Sequence, residues 1–273
     1  MAAREGLVRP ILVGDRARIV AAARAGDLNI EGLRIVDAPA DAEAARAAVE
    51  LARSGEAEIV MKGSIHSDDF LRPVVSREGG LRTGRRMSHV FVCYYPERVY
   101  PKPLLITDAA FNIAPDLAAK RDILENAIDL AHALGIAVPK VAVLAAVETL
   151  NPAMPATVDA IALRDLNRSG AIVGAIVDGP LAFDNAVSLE AARMKGMDSP
   201  VAGDPDVLLV PDIEAGNMLY KQGVYFCGAI TPGIVLGAAV PVLLTSRADP
   251  LRARVASCAV AALYVSRRKA AAP

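Results

Sequence analysis

"PLLITDAAFNIAPDLAAKRDILENAIDLAHALGIAVPKVAVLAA", residues 103–146, decides the fold. The apolar run at 103–109 reads as a buried strand. Leu117, Leu124, Ala127, Ile128, Ala131 and Leu134 then recur at helical spacing and lay one apolar face along a helix over 115–135. Pro115 suits its first turn and Gly135 its C-terminal cap. A second buried strand follows at 140–146. Strand, helix and strand in so short a span form the crossover unit of a parallel sheet.

The same alternation extends both ways. Toward the N-terminus come a strand at 10–14, a helix at 15–26 capped by Asp15, a strand at 33–38 and an Ala-rich helix at 41–55. Asp41 and Glu43 open that helix and Arg53 stands near its end, the polarity its dipole favours. A strand at 57–64 and a short helix at 68–75 complete this half. Toward the C-terminus come helix 156–169, strand 172–178, helix 184–196, strand 206–211, helix 215–226, strands near 233–236 and 241–245, and helix 249–266. The pattern breaks once, where strands at 88–95 and 103–109 follow one another with no helix between, so one sheet should end there and another begin. The expected class is α/β, with largely parallel sheets flanked by helices.

Composition agrees. The 273 residues are 53% hydrophobic but only 4% aromatic, without Trp, so the core is Ala, Val, Leu and Ile. A net charge of −1 offers no basic field for nucleic acid, and so few aromatics build no base-stacking platform. Cys93, Cys227 and Cys258 are widely spaced and read as reduced thiols rather than disulfides or a zinc site. His66, His89 and His132 lack metal-ligand spacing; His132 reads as structural, and His66, after a strand end, as a residue that could touch substrate. No metal is expected. The N-terminus has no secretory signal. "GAITPGIVLGAAVPVLLT" (228–245) has the length of a membrane span, but Pro232, Pro241 and three glycines favour two short strands and a turn. Neither G-x-G-x-x-G, G-x-x-x-x-G-K-[ST] nor G-x-S-x-G occurs.

Ligands of such folds sit at the carboxyl ends of strands, where this chain concentrates polar residues. Lys62, Ser64 and His66 follow one strand; Thr107, Asp108 and Asn112 another; "DGPLAFDNA" (178–186) and "DIEAGN" (212–217) two more. Asp184 reads as a helix cap. Arg82, Arg85 and Arg86 in "LRTGRRMSHV" (81–90) suit either a solvated loop or a bidentate anion site. "VPVLLTSRADP" (240–250) sets Ser246 and Arg247 between a strand and a helix start, whose positive end favours an anion. Asp249 there reads as the helix cap, with Pro250 at the first helical position.

Five long segments in order ("LLITDAAFNIAPDLAAKRDILENAIDLAHALGI", "PKVAVLAAVETLNPAMPATVDA", "GAIVDGPLAFDNAVSLEAARMKG", "VAGDPDVLLVPDIEAGNMLYKQ" and "GIVLGAAVPVLLTSRAD") resemble the phosphate acetyltransferase/phosphate butyryltransferase family. "LRTGRRMSHVFV" and "TSRAD" look closer to butyryltransferases, and closest to the acetyltransferase domain of bifunctional enoyl-CoA hydratase/phosphate acetyltransferases. The resemblance implies the reaction acyl-CoA + phosphate ⇌ acyl phosphate + CoA, with CoA thiolate attacking acyl phosphate directly. It implies a cytoplasmic homodimer with acyl-CoA, phosphate and acyl phosphate as partners, no permanently bound cofactor, and no nucleic acid or membrane partner. It implies two α/β domains with the active-site cleft between them: domain I, 1–94 plus 233–273, and domain II, 95–232.

By the same resemblance Ser246 hydrogen-bonds the tetrahedral intermediate or the phosphoryl group, and Arg247 holds phosphate or a CoA anion. The thiolate is the nucleophile, so a base that takes the thiol proton helps. The acetyltransferase base position falls on Ala253 here. Asp249 is assigned instead; Asp108, Asp178 or no dedicated base are the alternatives. Ser88, Thr107 and Asn112 match polar cleft positions and, with Arg86, are assigned to substrate binding. Family members carry a further helix and strand before "EGLVRPILVG", so a piece of a larger fused protein is one expectation. Two other readings stand beside the transferase. A non-catalytic acyl-CoA-binding regulatory or assembly domain fits Ala253 but not the retained Ser246 and Arg247. A related dehydrogenase using NAD and a metal lacks a cluster of ligating aspartates.

Overall fold

The computed structural model describes residues 1–245 and 249–271. The chain forms two compact units, Met1–Arg85 with Gly237–Ala272, and Arg86–Leu236. The first unit opens with β1 (Ile11–Gly14), α1 (Arg16–Ala25), β2 (Arg34–Asp37), α2 (Asp41–Arg53), β3 (Val60–Met61) and α3 (Ser67–Val74). β1 and β2 pair in parallel, Ile11 opposite Arg34. Asp15 caps α1 by accepting the Arg18 N–H at 2.8 Å. His66 is the N-cap residue of α3 and is exposed.

The second unit runs β4 (Ser88–Cys93), β5 (Leu104–Thr107), α4 (Leu117–Ala133), β6 (Lys140–Leu144), α5 (Pro155–Arg168), β7 (Ile176–Leu181), α6 (Phe183–Val187), α7 (Leu189–Met194), β8 (Val207–Leu209), α8 (Ile213–Cys227) and β9 (Gly233–Leu236). Its strands lie in the order β9-β4-β5-β8-β6-β7. β5, β8, β6 and β7 are parallel, whereas β4 runs antiparallel to both β5 and β9. A parallel pair needs a long crossover, and the short link between β4 and β5 holds no helix. Pairing with β5 therefore places β4, and β9 beyond it, in this unit; the sequence reading had put 88–94 and 233–236 with the other domain.

The chain returns to the first unit as β10 (Val242–Leu243) and α9 (Leu251–Ala271), with β10 parallel to β3. The apolar run at 228–245 is thus two strands, and no described helix is long and apolar enough to cross a membrane.

The core of the second unit is the expected aliphatic one: Leu105, Ile106, Val141, Leu208, Ile123, Leu124 and Ala131 are fully buried. The start of α4 differs by one step from expectation. Asp116 is the N-cap, accepting the Ala119 N–H at 2.8 Å, so Pro115 precedes the cap. Gly135, just past the helix, has φ +92°, a conformation that glycine adopts without a Cβ penalty. The helix expected over 184–196 is two short ones, because Ser188 is extended and its hydroxyl starts α7 by accepting the Ala191 N–H at 3.2 Å. Asp184 is not the cap of α6; Ala182 is, and Asp184 pairs with Lys195 at 3.0 Å. His132 is structural, its Nε2 2.7 Å from the Gly174 carbonyl oxygen.

Candidate active site

Arg86 opens the second unit, and α4 holds its backbone from both sides. Its N–H donates to the Asp122 carboxylate at 2.9 Å, and its carbonyl accepts from the Asn126 amide at 2.9 Å. The same Asn126 amide nitrogen donates to Ser88 Oγ at 2.8 Å. The guanidinium is anchored too: Nε donates to Asn112 Oδ1 at 2.7 Å. Asn112 Nδ2 in turn donates to the Met87 carbonyl at 2.9 Å and to Asp108 Oδ2 at 2.7 Å.

Asp108 shapes the loop that follows β5. Its Oδ1 accepts the N–H groups of Ala110 and Phe111, both at 3.0 Å, and its Oδ2 that of Asn112 at 3.1 Å. Short acidic side chains organise turns in this way because they bond backbone groups a few residues on. Asp108 is 2% exposed. Burial pushes its carboxyl above the usual range, against the pull of those N–H donors. Thr107, one residue earlier, donates its hydroxyl to the His89 carbonyl at 2.9 Å.

Arg86, Ser88, Thr107 and Asn112 therefore share one small region built by β4, β5, the loop 108–112 and α4. Their exposure separates them. Ser88 and Thr107 are fully buried and Asn112 is nearly so, while Arg86 is exposed. A guanidinium presented in this way is suited to an oxyanion, since its planar fork of N–H groups matches phosphate or carboxylate oxygens.

Ser246 and Arg247 lie outside the described residues. Asp249, in the first unit, is half-buried, and its backbone carbonyl accepts from Arg254 Nε at 3.2 Å. The N–H groups of Ala253 and Arg254 donate to the Pro250 carbonyl at 3.0 and 3.3 Å, so Pro250 takes the N-cap position of α9. The cap thus falls one residue later than the sequence suggested. Asp178 lies within β7, opposite Ala142. Among the described residues no group of three or more His, Cys, Asp or Glu side chains is placed to hold a metal ion.

Sequence reasoning missed Asp122 and Asn126. Asn126 had a readable signal: it is three residues after Ile123 and four before Leu130, in phase with the buried side of α4. A polar side chain there must find a partner.

His89, next to Ser88, is 1% exposed, and its Nδ1 has no hydrogen-bond partner among the described residues. Burial lowers its pKa to about 3. The unfolded chain gains this proton near its ordinary value of 6.5 and the folded chain does not. His89 therefore costs stability as pH falls from 6.5 toward 3, at about 1.4 kcal/mol per pH unit. Chemical denaturation at pH 7 and pH 5 is expected to show His89→Gln losing less stability than the parent between the two. An equal loss would mean that His89 does not set the acid sensitivity.

Residues 40–262 match the family described as phosphate acetyl/butaryl transferase. The chain is 52% identical over 270 residues to a phosphate acetyltransferase of Rhizobium meliloti, covering 99% of this chain and 85% of the relative. It is 44% identical over 267 residues to a phosphate butyryltransferase of Clostridium acetobutylicum, covering 98% and 88%. The crystal structure of a branched-chain phosphotransacylase from Enterococcus faecalis V583 superposes with a TM-score of 0.79 at 33% identity, covering 93% of this chain and 98% of that one. With most of its length matched in sequence and fold, and with an anchored arginine beside the carboxyl end of β5, the chain belongs to the phosphate acetyl/butyryl transferase family.

Proposed function

We propose that this chain moves a short acyl group between CoA and inorganic phosphate: acyl-CoA + phosphate ⇌ acyl phosphate + CoA. The observation that carries this is 52% identity to a phosphate acetyltransferase across 99% of the chain. In the forward direction a phosphate oxygen attacks the thioester carbon, the C–S bond breaks, and the thiolate leaves and takes a proton. In reverse the CoA thiolate attacks the acyl phosphate carbon, and the carbon–oxygen bond to phosphate breaks. Ser246 donates to the oxygen that becomes negative, Arg247 holds phosphate or a CoA anion, and Asp249 takes the thiol proton. Asp108 is a poor alternative base, since four N–H donors occupy its carboxylate and almost none of it is exposed. Ser88, Thr107 and Asn112 support the substrate site and Arg86 contacts the substrate. A cytoplasmic setting suits the three free cysteines. Thiol release from acetyl-CoA and butyryl-CoA, with and without phosphate, tests this reading. Release that depends on phosphate is expected; a folded protein that binds CoA without turnover would favour the regulatory-domain reading.

The chain also assembles as a homodimer in this reading. One face of α8 carries Met218 and Tyr225 at 67% and 78% exposure, with Phe226 at 85% beside them. Glu214 and Lys221 lie on that face too. Two copies of α8 packed antiparallel with each Met218 against the other copy's Tyr225 would cover this apolar stripe. Phe226→Glu is expected to halve the mass measured by light scattering at micromolar concentration. A variant with the parent's mass would move the interface elsewhere.

A further inference from the structure

We infer that Asp108 and Asn112 are positioning residues that hold the Arg86 guanidinium as a preset fork for a phosphate oxyanion, resting on the transferase reading above. Three observations converge on one side chain. Arg86 has its N–H fixed by Asp122 and its C=O by Asn126, so its backbone cannot pivot on either side. Its Nε is committed to Asn112 at 2.7 Å, while its terminal Nη nitrogens bond no described residue. Asn112 cannot turn over: its Nδ2 is spent on Met87 and Asp108, which leaves Oδ1 facing Arg86.

The direction of every bond in this chain follows from the carboxylate. Asp108 can only accept when ionised, so it takes the amide NH₂ of Asn112, and Asn112 must then present oxygen to the arginine. An Asn whose two ends were interchanged would set NH₂ against the guanidinium and oxygen against the Met87 carbonyl and the Asp108 carboxylate, and lose all three bonds. Asp108 therefore acts on Arg86 without touching it, by fixing which end of Asn112 faces outward. The two Nη groups are what remains for ligand, and they suit two oxygens of one phosphoryl group. That group is either inorganic phosphate or a phosphate of CoA.

The benefit is preorganisation. A free arginine must be ordered by the ligand it binds, and that cost weakens affinity. Asn112→Ala should therefore raise the KM for the phosphate-bearing ligand about five- to tenfold, the factor expected when one long side chain has to be ordered on binding, and lower kcat much less. The decisive comparison is a cycle of Asn112→Ala, Arg86→Ala and the double variant, assayed by phosphate-dependent thiol release on the full chain. In the Arg86→Ala background Asn112→Ala should add no further change to KM. Asp108→Asn should match Asn112→Ala; if it does not fold, Asn112→Ala, which keeps the backbone bonds to Asp108, carries the test. A rise in KM confined to phosphate, or one confined to acyl-CoA, supports the fork and says which phosphoryl group it holds. Factors that multiply in the double variant, or a fall in kcat with both KM values unchanged, overturn it. The shift of the melting temperature by inorganic phosphate, or by CoA, gives a readout independent of turnover. If the parent proves inactive but one of these still stabilises it through Arg86 and Asn112, the transferase reading fails and the fork stands.

Discussion

Replacing Ser246 by Ala is expected to lower phosphate-dependent thiol release by about 10²–10³-fold, the usual cost of removing one donor aimed at a developing oxyanion. The loss should appear in kcat, because the bond strengthens only as the acyl carbonyl becomes tetrahedral. Arg247→Ala should differ in kind. A residue that grips an anion in both ground state and transition state sets affinity, so its loss should appear mainly as a higher KM for phosphate or CoA. Both variants are expected to melt with the parent. Steady-state assays over a range of phosphate and acyl-CoA concentrations separate the two roles. Unchanged rates for both would remove this loop from the mechanism.

A second large effect concerns stability. Gly203→Ala is expected to cost about 2–5 kcal/mol, the sum of a left-handed backbone that disfavours any Cβ and a forced contact in a packed interior. Gly203 has φ +84°, and a Cβ there would sit 2.5 Å from Leu189 Cα and 2.7 Å from its nitrogen. Those are backbone atoms at the start of α7, and they cannot retreat without breaking the Ser188 cap. The Gly203 N–H also bonds the carbonyls of Asn185 and Ala186 at 3.1 and 2.9 Å, which fixes the approach. Gly170→Ala is the control. It has φ +79° and open space around the new carbon, so it carries only the backbone part. In a chain of this size each kcal/mol moves the midpoint by roughly 2–4 °C, which calorimetry resolves. A Gly203 variant no worse than the Gly170 variant would mean that Leu189 gives way.

Much of the second unit was readable residue by residue. The stretch 103–146 announces β5, α4 and β6 because burial leaves a periodic trace: Ile123, Leu124, Ala127 and Ala131 recur where a helix faces a sheet. Boundaries were less legible. Whether Pro115 or Asp116 starts α4, or whether 184–196 is one helix or two, depends on single side-chain bonds from Asp116 and Ser188 that periodicity does not report. The assignment of β4 to the second unit depended on its partners β5 and β9, which are distant choices for the chain to make.

The candidate site divides the same way. The sequence by itself determined the family, the α/β class and the polar residues at strand ends, because long stretches of matching residues and periodic burial are properties of the chain in order. Only the tertiary structure decided which of those residues are buried and which stay exposed. Ser88 and Thr107 look as available as Arg86 on paper, yet folding closes the first two into the interior and spends their hydroxyl groups on Asn126 and His89. Arg86 is left outside because Asp122, Asn126 and Asn112, far from it in sequence, saturate its backbone and one nitrogen and leave the rest of its charge toward solvent. A buried polar group must be paired, and which group pairs with which is settled only when the strands and α4 are in contact.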